Sequence, residues 1–340
     1  MDHWDDDFLL HESRLRVPGW ATAGLDLVLI QKGGSDRHYY RVSAHGPYDG
    51  PPSTILMVYT DRRADNLSFF AATEVIGLTG ARVPEIFHHD PVRKLAWLED
   101  LGRQDLWDWR ADDAMRLPLY RSALRQVARL HGFRWEDIPP HLQEQMQPPF
   151  DEKLYAWEQD YFFNEFARRF SAAGEDRLGI IRAQEEFAAL RRTLASLPRS
   201  PVHRDFQSQN IIVRDGHTWM IDYQGLRPGR PEYDIASLLY DPYVNLTPAE
   251  REELSDYYFS LRTDDAIECS PHLLAMCACQ RLMQALGAYG KLGVGDGKKS
   301  FLRHIPPAVA NLRAVIAQSG LLPSLHEVLE LRPDALTESA

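Results

Sequence analysis

The stretch of sequence that decides the fold is HRDFQSQN at residues 203–210, followed by IDYQG at residues 221–225. Both stretches interrupt a part of the chain that is otherwise patterned for helices, with apolar residues three and four positions apart. Two short apolar runs, 211–213 and 219–221, separate them and flank Asp215-Gly216, a dipeptide typical of a tight β-hairpin turn. The sequence therefore predicts a polar loop and a second polar segment that are joined by a hairpin.

The first polar stretch fits the pattern H-R-D-x-x-x-x-N, which forms the catalytic loop of kinases. In that pattern the aspartate, here Asp205, accepts or orients the attacking hydroxyl group, and the asparagine, here Asn210, holds Mg²⁺. Asp222 follows an apolar strand and adds a third oxygen-bearing side chain, and oxygen ligands are what Mg²⁺ requires. His203 is expected to brace the loop by hydrogen bonding. The alternative is that these residues only cap a turn and end a strand.

Outside this region, the periodicity of apolar residues changes along the chain. Apolar runs predict β-strands at 25–30, 39–42, 54–59, 84–87 and 95–98, with one helix between residues 62 and 80. Further on, helical spacing predicts helices at 112–132, 153–170, 176–197, 232–239, 248–261, 272–292 and 301–318. The change falls near residues 99–110. We therefore predict an α+β fold, in which a small antiparallel sheet with one main helix precedes a larger helical part.

The order of these features resembles the aminoglycoside phosphotransferase and choline kinase family, with the sharpest motifs between residues 202 and 243. The resemblance implies a bilobal, protein-kinase-like fold. Its N-terminal nucleotide-binding lobe is expected over residues 1–100, and its C-terminal catalytic and substrate-binding lobe over residues 101–340. The implied activity is an ATP-dependent transfer of phosphate to an alcohol group, with ATP and Mg²⁺ as cofactors.

The same resemblance implies roles for individual residues. Asp205 is expected to be the catalytic base, and Asn210 and Asp222 are expected to be the Mg²⁺ ligands. Asp234, within YDIASLL at residues 233–239, corresponds to an acidic residue that anchors the catalytic loop. As a carboxylate at the start of a predicted helix it would also be favoured by the helix dipole, and the two interpretations are compatible.

A candidate phosphate-binding turn, GGSDRHYYR at residues 33–41, lies between the first two predicted strands. Glycines permit close backbone approach, and backbone N–H groups, the Ser35 hydroxyl and an arginine can meet phosphate oxygens. In an arbitrary protein, a Gly-Gly pair between two strands is ordinary turn chemistry. Beside the catalytic-loop pattern we favour the phosphate-binding interpretation.

The chain lacks the lysine that kinases carry on the third strand, because residues 54–59 contain none and Met57 occupies the expected position. An arginine fork can pair with phosphate, so we expect Arg37 or Arg41 to supply the missing charge. Arg41 is expected to matter more than Arg37 or Lys32, since it is nearer the centre of a strand. The alternative is an impaired nucleotide site.

Two other features bear on nucleotide binding. Glu74, on the predicted helix, is the available carboxylate partner for the substituting cation, although an exposed helix face explains it equally well. LEDLG at residues 98–102 resembles the hinge between the lobes, where backbone groups read the edge of adenine. Glu99 and Leu101 are therefore candidate nucleotide-binding residues.

The acceptor is less well defined by sequence. Ser35, Arg37 and Arg41 together with DYQG and the following RPG at 227–229 are similar to one subgroup of the family, the kinases that phosphorylate the anomeric hydroxyl of N-acetylmuramate and N-acetylglucosamine. Arg204 and Arg227 favour an uncharged or anionic sugar, since aminoglycosides and choline are cations. The alternatives are an aminoglycoside or other small-alcohol kinase and a nucleotide-binding pseudokinase.

Two further groups of side chains have both a functional and an ordinary explanation. Trp157 with its aromatic neighbours Tyr161 and Phe162 can cover a sugar ring or can belong to the core. Asp241 together with the acidic side chains at 250, 252 and 253 can form an acidic rim for a cation or can simply be solvated.

Composition limits the remaining possibilities. A net charge of −11 and a pI near 5.6 argue against nucleic acid as the main partner, because phosphate neutralisation needs a basic surface. Three cysteines in 340 residues cannot form a disulfide framework, and no apolar run is long enough to span a membrane. We expect a cytoplasmic protein, a monomer or weak dimer, with a small-molecule sugar as its substrate and no membrane partner.

Overall fold

The computed structural model of the chain describes residues 4–30, 37–62, 64–262 and 267–333. Its first part contains a five-stranded antiparallel sheet in the order β1-β2-β3-β5-β4, and most of the remainder is helical, so the predicted α+β class is confirmed. The strands are β1 (Gly24–Ile30), β2 (His38–His45), β3 (Ser53–Val58), β4 (Ile86–Asp90) and β5 (Leu95–Glu99). We call this sheet and the helices packed on it the N-terminal lobe.

Two helices cover the two faces of the sheet. Successive strand residues point to opposite faces, so Leu56 and Met57 on β3 lie in different cores. Leu56 packs in the core of α1 (Asp6–Arg16), whereas Met57 packs in the core of α2 (Ala64–Leu78). Met57 is completely buried, which explains why an apolar side chain stands at the position expected for lysine. The sequence analysis predicted α2 but not α1.

The remainder of the chain, which we call the C-terminal lobe, is built around helices. They are α3 (Arg116–Gly132), α4 (Pro140–Gln143), α5 (Glu152–Tyr161), α6 (Arg168–Phe170), α7 (Glu175–Arg182), α8 (Glu185–Ser196), α9 (Pro231–Leu239), α10 (Pro248–Ser260), α11 (Pro271–Gly290), α12 (Ile305–Ser319) and α13 (Leu325–Val328). The helix predicted over 153–170 is interrupted by a π-helical stretch, Phe162–Ala167. The helix predicted over 176–197 breaks into α7 and α8.

Helix α11 is the centre of this lobe because most of its residues are buried. Its start is fixed by Ser270, whose side chain accepts a hydrogen bond from the backbone N–H of Leu273, and Pro271 occupies the first helical position. Its partners include α5, α9 and α12. Helix α11 therefore joins the elements that surround the polar segments.

The polar segments lie between four short strands: β6 (Ser200–Val202), β7 (Ile211–Arg214), β8 (His217–Met220) and β9 (Arg227–Gly229). Strands β7 and β8 form the predicted hairpin, and both turn residues, Asp215 and Gly216, have positive φ, as a type I′ turn requires. Strand β6 pairs with β9. Residues 203–210, called here the HRD loop, and residues 222–225, the DYQG segment, are thereby brought together.

Two general features of the chain complete the fold. Across residues 4–30, 37–62, 64–262 and 267–333, no helix is both long and apolar enough to cross a membrane. The cysteines are free thiols: Cys277 and Cys279 are buried, Cys269 is partly buried, and burial raises the pKa of Cys279 to about 12. A thiol with so high a pKa is not reactive at neutral pH.

Candidate active site

The start of the HRD loop is fastened by Asp234, a completely buried residue in the first turn of α9. One carboxylate oxygen accepts the backbone N–H of His203 at 2.7 Å, and the other accepts that of Arg204 at 2.8 Å. Arg204 has a φ of 79°, a left-handed conformation that is unfavourable for a residue with a side chain. Two charge-assisted hydrogen bonds from one carboxylate offset that cost and fix the turn before Asp205.

A second residue supports Asp234 from behind. His131, in the last turn of α3, places Nε2 2.9 Å from the Asp234 carboxylate and Nδ1 2.7 Å from the Tyr258 hydroxyl. Burial lowers the pKa of His131, against the opposite effect of Asp234, so the ring is neutral at neutral pH. The sequence analysis missed His131, because a histidine near the end of an amphipathic helix carries no sign of a partner a hundred residues away.

His203 and Asn210 connect the HRD loop to the strand that leads into the DYQG segment. The imidazole Nε2 of His203 donates to the carbonyl oxygen of Ile221 at 3.0 Å, as expected for a bracing residue. The backbone N–H of Ile221 in turn donates to the carbonyl oxygen of Asn210 at 2.9 Å. The Asn210 side chain donates from Nδ2 to the carbonyl oxygen of Asp205, also at 2.9 Å. Asn210 thus contacts the Asp205 residue on one side and the residue before Asp222 on the other.

Asp205 lies between two arginines. Its Oδ2 is 3.2 Å from Nη1 of Arg204, and its Oδ1 is 3.5 Å from Nη2 of Arg281 on α11. The side chain remains 29% exposed, so it is accessible to an incoming hydroxyl group. Burial alone raises the pKa of this carboxyl, but Arg204 and Arg281 outweigh burial and leave the pKa below its usual value. Asp205 is therefore ionised at neutral pH.

The side chains available to a metal ion have the right chemistry for Mg²⁺. Because Nδ2 of Asn210 is bound to the Asp205 carbonyl, Oδ1 is the amide atom that remains for a cation. Asp222 is exposed, has a φ of 63°, and receives a hydrogen bond from Gln224 on one oxygen. The described residues hold no cluster of three or more His, Cys, Asp or Glu that could bind a metal. The Asp222 carboxylate and the Asn210 amide oxygen are oxygen donors, which suit Mg²⁺ and not zinc.

Helix α2 reaches the site through Tyr223, the residue after Asp222. The Thr73 and Tyr223 hydroxyls are 2.9 Å apart, and the ring of Phe69 stacks on that of Tyr223 with centroids 5.1 Å apart. Glu74 does not share this contact. It is exposed and lines a cavity of about 480 Å³ together with Thr73 and Trp219. The role of Glu74 as the partner of a nucleotide-binding cation stays a prediction.

Arg37 connects the N-terminal lobe to the DYQG segment. Its Nε donates to Oδ1 of Asn66 on α2 at 2.7 Å, and its Nη1 donates to the Tyr39 hydroxyl at 3.2 Å and to Oε1 of Gln224 at 3.1 Å. Gln224 in turn donates from Nε2 to Oδ1 of Asp222 at 3.1 Å. Gln224 therefore links Arg37, a cation of the N-terminal lobe, to the Asp222 carboxylate.

Arg41, which we expected to be the more important arginine, is engaged elsewhere. It forms a two-pronged ion pair with Asp100, at 2.6 and 2.9 Å, and also donates to the Gly102 carbonyl oxygen. Burial raises the pKa of Asp100, but Arg41 and Ser53 more than compensate, so the pKa is lowered. Of the two arginines, Arg37 contacts the DYQG segment and Arg41 is paired with Asp100, and their ranking in nucleotide binding stays a prediction. The other two candidates, Lys32 and Ser35, lie outside the described residues.

The segment expected to form the hinge follows β5 directly. The backbone N–H of Glu99 donates to the Glu85 carbonyl oxygen at 2.8 Å, and the Glu99 side chain accepts from Nη1 of Arg214 on β7 at 2.7 Å. Leu101 is buried, and Gly102 has a φ of 94°. The carboxylate of Glu99 therefore faces the hairpin of the C-terminal lobe, and the role of residues 99–102 in nucleotide binding stays a prediction.

Of the two arginines expected at the acceptor, Arg204 is more accessible than Arg227. The Arg204 side chain is 26% exposed and contacts Asp205 directly. Arg227 is largely buried, donates from Nε to the Gly225 carbonyl oxygen at 2.9 Å, and lies over the ring of Phe150. Burial, together with the nearby charge of Arg204, lowers the pKa of Arg227 to about 10. Both remain charged at neutral pH.

The structure also distinguishes between the two explanations that the sequence left open for Asp241 and for the aromatic group around Trp157. Asp241 is buried and accepts hydrogen bonds from the backbone N–H and the hydroxyl of Ser208, at 2.9 and 2.6 Å. It is a second anchor of the HRD loop and not part of an acidic rim. Trp157 is 51% exposed and stacks on Tyr161, whereas Phe162 is completely buried. The aromatic stripe is thus divided between surface and core.

An antiparallel lobe joined by a short hinge to a helical lobe, with an ordered HRD loop and a DYQG segment between them, defines a kinase-like phosphotransferase. The sequence model of the phosphotransferase enzyme family matches residues 26–268, which is more than half of the chain. The chain belongs to this family, and it is an enzyme that transfers phosphate to an alcohol group.

Individual relatives and solved structures agree with this assignment. An N-acetylmuramate/N-acetylglucosamine kinase of Pseudomonas aeruginosa is 23% identical over 326 residues, covering 93% of this chain and 91% of the relative. Choline kinase from Cryptosporidium parvum superposes with a TM-score of 0.64 at 13% identity, covering 96% of this chain and 100% of that one. A ternary complex of streptomycin, ATP and APH(2″)-IIa gives 0.57 at 12% identity, covering 87% and 93%. The bilobal kinase-like fold is confirmed.

Proposed function

We propose that this enzyme transfers the γ-phosphate of ATP to the anomeric hydroxyl of a small amino sugar, such as N-acetylmuramate or N-acetylglucosamine. The observation that carries the proposal is the environment of Asp205. Its carboxylate is partly exposed, ionised and in contact with two arginines, and Asp234 anchors the loop on which it lies. The printed activity of the Pseudomonas aeruginosa relative, which aligns over nearly the whole chain, supports the acceptor class.

In this proposal Asp205 aligns the acceptor hydroxyl and receives its proton. Phosphoryl transfer passes through a loose transition state, so orientation of the nucleophile matters more than basicity, and a carboxylate with a lowered pKa is suited to that task. His203 and Asp234 act only by holding the loop. The nucleotide is held by the lobe formed by residues 1–100, whose five strands end at Glu99, and the acceptor by residues 101–340.

Asn210 and Asp222 are the proposed Mg²⁺ ligands, and a bound Mg²⁺ supplies neutralisation of the phosphate oxygens. Arg37 takes the role of the absent strand lysine, because its Nη1 donates to Gln224 of the DYQG segment. The backbone of Glu99 and Leu101 is proposed to contact the adenine edge. The structure of APH(2″)-IIa with ATP, which shares this fold, supports ATP as the donor.

The charge around Asp205 favours a sugar over a cationic acceptor. Arg204, Arg227 and Arg281 place three positive charges near the Asp205 carboxylate. The nearby Glu158 is completely buried, its oxygens accept hydrogen bonds from Tyr233 and Gln280, and burial raises its pKa above the usual value. An aminoglycoside or choline would bring further positive charge into this region, whereas an uncharged or anionic sugar would not.

The experiment that tests the proposal is a coupled assay of ADP release with N-acetylmuramate, N-acetylglucosamine, streptomycin and choline as acceptors. We expect turnover with the sugars, and a roughly thousandfold lower kcat in Asp205→Asn with ATP binding retained. Asp215→Asn, in the exposed hairpin turn where asparagine tolerates positive φ, is the matched control and should keep full activity. Turnover with streptomycin or choline alone would refute the sugar, and ATP binding without any transfer would indicate a pseudokinase.

A further inference from the structure

Arg281, a residue that no motif singles out, contacts Asp205 from a distant part of the chain. It lies on α11, is 8% exposed, and places Nη2 3.5 Å from Oδ1 of Asp205 and 3.4 Å from Oε1 of Gln207. Arg204 contacts the other carboxylate oxygen. Each oxygen of Asp205 therefore has its own guanidinium partner, one from the HRD loop and one from α11.

Arg281 is itself fixed by the helix that fastens the HRD loop. Its Nε donates to the Ser237 hydroxyl on α9 at 3.0 Å, and its Nη1 donates to Gln284 one turn further along α11. Ser237 follows Asp234 by three residues, so the two side chains lie on the same face of α9. One face of α9 thus sets both the backbone of Arg204, through Asp234, and the guanidinium of Arg281, through Ser237.

Arg281 stays protonated in this position. Burial lowers the pKa of the guanidinium, but Asp205, together with Tyr233, Tyr289 and Glu158, outweighs burial and raises the pKa above its ordinary value. A buried arginine that loses its carboxylate partner would be left as an uncompensated charge, so the pair holds together. With one guanidinium on each oxygen, rotation of the Asp205 carboxylate would break one of the two contacts.

We propose that Arg281 is a positioning residue for phosphate transfer, which holds the Asp205 carboxylate in the orientation that the acceptor hydroxyl needs. The inference rests on the proposed function, in which Asp205 aligns the acceptor. It adds a residue of α11 to the machinery that the HRD and DYQG motifs define. Without Arg281, Asp205 pairs with Arg204 alone and turns away from the acceptor.

The test compares Arg281→Met, Arg281→Lys and Ser237→Ala with the wild type in the same coupled assay. We expect Arg281→Met to lower kcat roughly 10- to 100-fold with little change in the KM for ATP, since misalignment of a reacting group costs rate and not nucleotide affinity. Lysine keeps the charge without the fork, so Arg281→Lys should recover part of the rate. Ser237→Ala, which removes only the support of Nε, should lower kcat a few-fold.

Chemical rescue distinguishes a positioning role of Arg281 from a purely structural role in joining α11 to α9. Guanidinium ion added to Arg281→Ala should restore part of the lost kcat, but it should not affect Arg313→Gln, a control on the exposed face of α12. Wild-type kcat in Arg281→Met would overturn the proposal. A loss of thermal stability with no rescue by lysine or by guanidinium would do the same, since it marks a purely structural residue.

A crystal structure of Arg281→Met distinguishes failure of this inference from failure of the proposed function. We expect the Asp205 carboxylate to be rotated while the backbone of residues 203–210 stays in place. An unchanged carboxylate overturns the role of Arg281 whatever the acceptor is. A rotated carboxylate in a protein whose wild type phosphorylates no sugar would support the positioning role and refute the sugar kinase.

Discussion

The acceptor side of the cleft and its nucleotide side are held by different kinds of contact. On the acceptor side, the buried carboxylates of Asp234 and Asp241 accept backbone N–H groups of the HRD loop. On the proposed nucleotide side, Arg37 and Arg41 use their side chains, and the contact of Arg37 with Gln224 crosses between the lobes. Backbone groups held by a buried charge have no alternative partner in water, whereas side-chain pairs between lobes can separate and re-form. The first side is therefore a rigid scaffold, and the second can adjust to a nucleotide.

The largest effect on stability and turnover should come from substitution of Asp234, which anchors the HRD loop. Asp234→Asn replaces one of the two accepting oxygens by an amide that cannot accept a hydrogen bond, so one backbone N–H of the strained turn is left unpaired in the core. We expect a loss of about 3 kcal/mol in the free energy of unfolding, measured in urea, and a fall in kcat of at least roughly a hundredfold. Asp137→Asn, on an exposed 3-10 turn, is the control. Near-normal stability and turnover in Asp234→Asn would show that the HRD loop keeps its conformation without Asp234.

The next largest effects should distinguish Arg37 from Arg41, the two arginines on the proposed nucleotide side. Arg37→Ala is expected to raise the KM for ATP roughly tenfold, because it removes the cation that reaches the DYQG segment. Arg41→Ala should change that KM less and should instead lower the free energy of unfolding by about 1 to 3 kcal/mol, since the Asp100 carboxylate loses its charged partner and keeps only Ser53 and the Gly102 N–H. If Arg41→Ala raises the KM for ATP more than Arg37→Ala, the ranking expected from strand position is correct and the one drawn from geometry is wrong.

The smallest effect concerns neighbouring residues on α2. Thr73→Val keeps the shape of the side chain and removes its hydrogen bond to Tyr223, so we expect a loss of about 1 kcal/mol in the free energy of unfolding. Glu74→Gln, at the exposed position beside it, should stay within about 0.5 kcal/mol of the wild type in stability and leave the KM for ATP unchanged. A larger effect of Glu74→Gln on either quantity would restore Glu74 to the nucleotide site.

Local patterns in the sequence were sufficient for part of this site. The Asp-Gly turn between two apolar runs predicts the β7–β8 hairpin, because the turn chemistry and the register depend on neighbouring residues only. The spacing within HRDFQSQN likewise places Asp205 and Asn210 on one loop. The α+β order of elements follows from periodicity, although α1 was missed because its short polar segment has little apolar repetition.

Contacts across long stretches of chain were beyond the sequence analysis. Arg41 has the residue type and strand position of a phosphate ligand, and only the approach of Asp100 shows that its guanidinium is occupied. Asp241 looks like a surface carboxylate until Ser208 is found against it. In both cases the deciding partner is more than thirty residues away, and no periodicity links the two positions.

By itself, the sequence determined the α+β class, the hairpin, the phosphotransferase class and the residues of the HRD loop, because these depend on side-chain chemistry and on spacing within a few residues. Only the tertiary structure decided the partners of the arginines: Arg37 contacts Gln224 and Arg281 contacts Asp205, whereas Arg41 is paired with Asp100. The physical reason is that a guanidinium binds whichever carboxylate or carbonyl oxygen folding brings within about 3 Å, and a linear sequence does not contain that distance.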